Sequence, residues 1–294
     1  MNKKFLTILI VMICMLASII VIDAMMVPTA AIWVDSGSAS GTAQNITSNW
    51  NANQKYMLFK IVLSDGSMND IETTTPLLQY DVVHGRLELI SDPAIYVSNM
   101  AFSGYTGTLS EVNIPSTKTI TVDGEDYAIP VTEVTNTAFS TSSNMVRSII
   151  FPSSIIKIAP STCASMSVLE SVTIYSENSA SYNLNIGSSA FMSCSALQTV
   201  SFIGDWNTAS TINISRYAFM ACTSLESMWF HSTTTKTPTF GTNALFRTSA
   251  NFKAYMLVTN RAAYTTAVGA TKCVGFYDAP TSGTDLTVNN TLTW

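Results

Sequence analysis

Two stretches of the chain repeat the same order of apolar and polar positions. Residues 184–202 read LNIGSSAFMSCSALQTVSF and residues 212–230 read INISRYAFMACTSLESMWF, and they align without a gap at a period of 28 residues. Each carries Ile186 or Ile214, then Ala190-Phe191 or Ala218-Phe219, then Cys194 or Cys222, then Leu197 or Leu225. An alternating pair closes each unit: Val200 and Phe202, then Met228 and Phe230. Weaker copies flank them. Upstream, Cys163 stands in the Phe position with Leu169, Val172 and Ile174 in register; before that come Ala138-Phe139, Val146, Ile149 and Phe151, with one residue inserted. Downstream, the pattern reads Leu245-Phe246, Phe252, Tyr255 and Leu257. Anchors at 139, 163, 191, 219 and 246 are thus 24, 28, 28 and 27 residues apart.

The piece L-x-x-V-x-F alternates at period two, so its apolar side chains point one way from a short strand. The Ala-Phe piece lies in a polar, turn-rich stretch and drives one ring inward. A unit this small cannot bury its apolar side alone. Neighbours must stack, which turns the strands into a parallel ladder over a continuous core.

The AFxxCxxLxxVxF pattern resembles the BspA-type leucine-rich repeats of microbial cell-surface proteins. Residues 109–139 are similar to that family's opening segment, a strand ending in Ile114-Pro115, an Asp123-Gly124 turn and a first Ala-Phe. Residues 255–268 resemble its closing segment, a last strand and a short helix carrying Ala263 and Tyr264. The resemblance implies a leucine-rich-repeat solenoid of short parallel β-strands with turns or short helices, wound as a right-handed superhelix, over residues 95–277. It implies surface display and binding, and no particular ligand. The departures are Cys163 in place of Phe, Leu245-Phe246 in place of Ala-Phe, and lengthened loops at 176–183 and 204–211. A β-rich cap is expected over 54–94, with strands at Tyr56–Leu63 and Arg86–Ile90, and a helix near Arg261–Val268 at the far end.

Residues between the apolar ones of each strand face outward and line up in columns on the expected concave face. The predicted columns are Ser171, Thr199, Ser227, Ala254; then Thr173, Ser201, Trp229, Met256; then Tyr175, Ile203, His231, Val258. The expected ligand-binding residues are Trp229, His231, Tyr175, Thr173, Ser201, Thr199 and Ser227. An outward indole among hydroxyls suits a sugar ring or a protein partner.

Composition narrows the function classes. Only 11% of residues are charged, and 37 serines and 38 threonines take their place. This suits an exported protein whose faces are covered with hydroxyls. A net charge of −5 argues against nucleic acid, because there is no basic surplus to replace phosphate counterions. Lys3 and Lys4 precede an apolar run, Phe5 to Ile22, closed by Asp23. Residues 1–24 therefore read as a cleaved signal peptide or a retained membrane anchor through residues 5–22, and either puts the remainder outside the cytoplasmic membrane. Residues 25–53 hold a Ser/Gly/Asn-rich linker and 278–294 a polar tail. The four cysteines beyond the signal, Cys163, Cys194, Cys222 and Cys273, are an even number that permits disulfides in an exported chain, but each sits among apolar residues and reads as a small buried hydrophobe. Sequons stand at Asn45, Asn213 and Asn289.

Two histidines, His84 and His231, leave little material for a metal centre or a His-dependent triad, and no G-x-S-x-G, H-E-x-x-H, P-loop or C-x-x-C is present. No metal, cofactor or catalytic residue is expected. The chain reads as a non-catalytic binding or adhesion module for a protein or glycan at a cell surface. The alternative is a carbohydrate-recognition module serving a separate enzyme. An enzyme would need converging carboxylates in residues 54–115.

Overall fold

The computed structural model describes residues 54–176, 182–204, 206, 210–231, 237–257, 261–268 and 273–276. The expected signal or anchor, linker and tail, the sequons at Asn45 and Asn289, and Val258 lie outside these residues.

Five strands open the described chain: β1 (Met57–Leu63), β2 (Met68–Asp70), β3 (Leu78–Asp81), β4 (Arg86–Leu89) and the long β5 (Asp92–Tyr105). A short helix, α1 (Ile71–Thr74), and a 3-10 turn (Thr75–Leu77) separate β2 from β3. Pairing among these strands is antiparallel, β2 to β1, β1 to β5, and β3 to β4 to β5. The β1–β2 turn is set by Asp65, which accepts the Ser67 amide at 2.9 Å, and by Gly66 at φ +86°. Next come β6 (Glu111–Asn113), β7 (Thr117–Val122) and β8 (Glu125–Val134). Asp123 and Gly124, at φ +53° and +85°, make the tight left-handed turn between β7 and β8 that an Asp-Gly pair favours.

From β8 onward the chain coils. Each coil gives one strand to each of two parallel sheets. One sheet collects β8, β10 (Lys157–Ile158), β12 (Asn183–Ile186), β14 (Thr211–Ile214) and β16 (Thr239–Phe240), and β5 continues it into the antiparallel strands. The other has seven strands: β6, β9 (Ser148–Phe151), β11 (Ser171–Tyr175), β13 (Thr199–Ile203), β15 (Ser227–His231), β17 (Lys253–Leu257) and β18 (Cys273–Phe276). The fold is the parallel β-solenoid the repeats require, of the leucine-rich-repeat kind. The first sheet's strands were not foreseen, since only one strand per unit was expected.

The interior is filled by files of equivalent side chains. Phe139, Cys163, Phe191, Phe219 and Leu245 follow one another at the Ala-Phe position. Phe191 and Phe219 stack with centroids 5.0 Å apart and planes within 2°. A second file along the seven-stranded sheet runs Phe151, Ile174, Phe202, Phe230 and Met256, and Phe202 stacks on Phe230 at 5.0 Å. Such pairs add about 0.5–1.5 kcal/mol beyond the area they bury. Where Cys163 replaces Phe, Met166 stands in the place of Cys194 and Cys222 of the next two coils, so the coil trades large and small positions and stays filled. Cys163, Cys194 and Cys222 are buried free thiols, and burial pushes Cys163 up.

From the Cys163 coil onward each coil turns twice through a residue at positive φ: Ser161, Ser189, Tyr217 and Asn243 before the inward anchor, then Ser165, Ser193, Ala221 and Arg247 after it. Both lengthened loops return a side chain to the core. Tyr182 is buried and its hydroxyl donates to the Tyr175 carbonyl at 3.1 Å; Trp206 is buried with its ring edge-on to both Phe202 and Phe230. A helix, α2 (Arg261–Val268), lies where expected and packs Tyr264 on Phe230 at 4.9 Å.

The last coil corrects two expectations. The anchor is Ala244-Leu245, not Leu245-Phe246: the Phe219 amide donates to the Ala244 carbonyl as Phe191 does to Ala218, and Phe246 is 52% exposed. The strand is also slipped by one residue. Lys253 pairs with Ser227 and Tyr255 with Trp229, so Ala254 and Met256 are buried and Lys253 and Tyr255 take the outward positions. The physical reason is the anchor itself: Lys253 follows Leu245 at the same spacing at which Ser227 follows Phe219, and its amide donates to the Glu226 carbonyl directly after the buried Phe252.

Candidate functional site

The outward positions of the seven-stranded sheet form three columns. Every pairing between β9 and β17 is parallel, so equivalent residues of successive coils stand side by side. The first column runs Glu111, Ser148, Ser171, Thr199, Ser227 and Lys253. Its hydroxyls pair off: Ser171 donates to Ser148 at 3.0 Å, and Thr199 and Ser227 share a hydrogen bond of 3.0 Å. The second runs Asn113, Ile150, Thr173, Ser201, Trp229 and Tyr255, and the third Tyr175, Ile203 and His231. All seven expected site residues, Thr173, Tyr175, Thr199, Ser201, Ser227, Trp229 and His231, stand on this one face and are half-buried. Ala254 and Met256 do not, for the reason given above.

Aromatic rings gather at one end. Tyr255 stacks on Trp229 with centroids 4.0 Å apart and planes within 9°, and His231 lies 5.7 Å from the indole on its own strand, within 11° of parallel. Three rings thus stand nearly parallel at the last described coils. Burial lowers His231 to about 4, so its imidazole is neutral at physiological pH. Burial raises the Tyr175 phenol, which stays protonated. The surface therefore offers neutral donors, acceptors and ring edges.

Sequence reasoning missed Tyr255, because the slip put it in the core, and it missed a polar rim. Arg147, Glu170, Gln198 and Glu226 occupy equivalent positions just before β9, β11, β13 and β15, each amide from Glu170 onward donating to the previous coil's carbonyl. Arg147 and Glu170 form an ion pair. The signal was present as a polar residue ahead of each strand. Among the described residues no cluster of three or more His, Cys, Asp or Glu side chains is placed to hold a metal ion.

The family model for the BspA type Leucine rich repeat region, matched as 6 copies, covers residues 88–208 and 132–255, more than half of the chain. The chain belongs to the BspA-type leucine-rich-repeat family. This BspA-type chain is also similar to three solved structures. A leucine rich cell surface protein from Faecalibacterium prausnitzii is 17% identical, over 62% of this chain and 55% of that one, with a TM-score of 0.32. The pneumococcal vaccine antigen PcpA is 24% identical, over 55% and 44%, with a TM-score of 0.34. A leucine-rich repeat protein from Bacteroides ovatus is 16% identical, over 62% and 60%, with a TM-score of 0.22. The chain spans about half the length of these structures. No curated protein matches it. Among the described residues no helix is long and apolar enough to cross a membrane.

Proposed function

We propose that this BspA-type chain is an exported, non-catalytic adhesion module that holds a protein partner at a cell surface through its seven-stranded sheet. Residues 1–24 export or anchor it, 25–53 space it, 54–94 cap it, and 95–277 are displayed. The single observation that carries the reading is the parallel cluster of Trp229, Tyr255 and His231 beside columns of small hydroxyl residues, with a charged rim along the strand starts. Stacked aromatic rings supply large contact area with few torsions to freeze, which suits a hot spot. Hydroxyls and neutral rings around them cost little to desolvate compared with charges.

The test is capture from host and microbial surface extracts with the full chain, then affinity measurement for the captured partner. Trp229→Ala is expected to weaken binding by about 2 kcal/mol or more, the scale of a hot spot, while the chain still unfolds cooperatively with Tm lowered by a few degrees from loss of the Tyr255 stack. Unchanged affinity removes the site assignment. A second reading, a carbohydrate-recognition module serving a separate enzyme, is favoured by the same parallel rings. A glycan array on which Trp229 alone governs binding would select it.

A further inference from the structure

A cleft of about 370 Å³ lies well away from the solenoid's aromatic cluster in sequence, among β3, β4, β5 and β8. Its size is at the low end of small-ligand pockets, which run about 300–1,000 Å³. Tyr80 of β3 and Tyr127 of β8 form one wall, their rings stacked 5.1 Å apart at 29°. Tyr80 is 42% exposed, a large fraction for an aromatic ring that already has a stacking partner. Ile129 adds apolar lining, and Arg86, Ser98 and Asp126 add polar groups.

The polar groups are of both kinds. The Arg86 guanidinium lies over the Tyr96 ring at 4.2 Å, and its Nη2 donates to the Pro93 carbonyl at 3.2 Å. Its Nε is buried and makes no hydrogen bond within the protein. Asp126 accepts from the Thr121 hydroxyl through Oδ1 at 2.6 Å, and its second carboxylate oxygen remains an acceptor for a ligand. Desolvation, then the nearby Glu125 carboxylate, push the Tyr127 phenol up, so it stays a neutral donor.

This combination selects among ligand classes. An anion would meet the Asp126 carboxylate, with Glu88 beside Arg86 at 3.7 Å. A cation would meet Arg86. An apolar ligand would cover the second Asp126 oxygen without giving it a donor. A neutral polyhydroxylated ring answers all of them, because each hydroxyl both donates and accepts and its C–H face packs on an aromatic ring. We infer that the cleft binds one neutral pyranose unit, independently of the seven-stranded sheet.

The test is saturation-transfer NMR and titration of the full chain with glucose, galactose, mannose and N-acetylglucosamine, and with lactose and maltose. Choline and sialic acid serve as the charged comparisons. The expected result is transfer to the ring protons of at least one neutral sugar, with affinity reduced about tenfold, or 1.4 kcal/mol, in both Tyr80→Ala and Asp126→Asn. Trp229→Ala should leave that affinity unchanged. Asp126→Asn keeps an acceptor for Thr121 and guards against loss of fold in the Tyr80 variant. Tighter binding of disaccharides than of monosaccharides would identify a polymeric glycan as the source, and equal binding a free sugar; both support the site. The inference is overturned by absence of transfer from every neutral sugar, by stronger binding of choline or sialic acid, by affinity unchanged in both cleft variants, or by loss on Trp229→Ala.

Discussion

The exchange of large and small residues between coils gives a sharp prediction. Phe219 is fully buried and stacks on Phe191 at 5.0 Å, with Cys222 three residues on. Two coils earlier, Cys163 and Met166 hold the same two positions in the opposite order of size. Phe219→Cys should cost about 3 kcal/mol, toward the lower end for loss of a buried ring because the sulfur fills part of the cavity. For a chain of this size that is a fall in Tm of about 6–12 °C. Cys222→Met alone overpacks a filled coil and should cost about 1–3 kcal/mol. In the Phe219→Cys background the same change fills the cavity and should restore about 1–2 kcal/mol. The Phe191 carbonyl, to which the Cys222 thiol donates at 3.0 Å, still receives the backbone amide at position 194. Equilibrium urea unfolding of the wild type, both singles and the double variant measures the coupling, with a constant m-value confirming that the same transition is compared. If Cys222→Met costs the same in both backgrounds, the two positions do not share volume and the reasoning fails.

Three other outcomes follow from backbone and charge. Ala221 sits at φ +60°, so Ala221→Gly should stabilise by about 0.5–1 kcal/mol in the same urea assay. Gly187→Ala would place a methyl 2.5 Å from the Pro160 nitrogen and 2.7 Å from the Ala159 carbonyl carbon, both backbone atoms, and should cost about 1–3 kcal/mol by thermal melting. Burial holds His231 at about 4 in the folded chain against an ordinary 6.5, so the unfolded chain takes up a proton that the native one refuses between those values. Stability is therefore full above pH 6.5 and declines as pH falls toward 4, by up to about 3 kcal/mol, and His231→Gln should flatten that decline relative to wild type.

Much of the solenoid was legible because its side chains repeat in type as well as in spacing. Phe191, Cys194, Leu197, Val200 and Phe202 have counterparts 28 residues on, and Leu169, Val172 and Ile174 in register put Cys163 in the Phe position. The other strand of each coil was not legible. Lys157–Ile158 and Thr239–Phe240 are two residues long, too short for alternation to rise above chance, and only the ladder they join makes them strands. The last coil misled for a different reason. Leu245-Phe246 and Tyr255 look more apolar than Ala244-Leu245 and Ala254, yet hydrogen bonds to the preceding coil fix the register, and a one-residue slip sends Tyr255 to the open face. That slip hid half of the aromatic pair. Trp206 and Tyr182 were hidden because their loops differ from coil to coil and carry no repeat signal.

The stacked register of the coils is most directly measured by proton–proton NOEs among selectively labelled aromatic rings of the full chain. Cross-peaks are expected between Phe191 and Phe219, between Phe202 and Phe230, and between Trp229 and Tyr255, whose centroids lie 5.0, 5.0 and 4.0 Å apart. Cross-peaks from Tyr255 to Phe230 or Tyr264 in place of Trp229 would put that ring in the core and contradict the account.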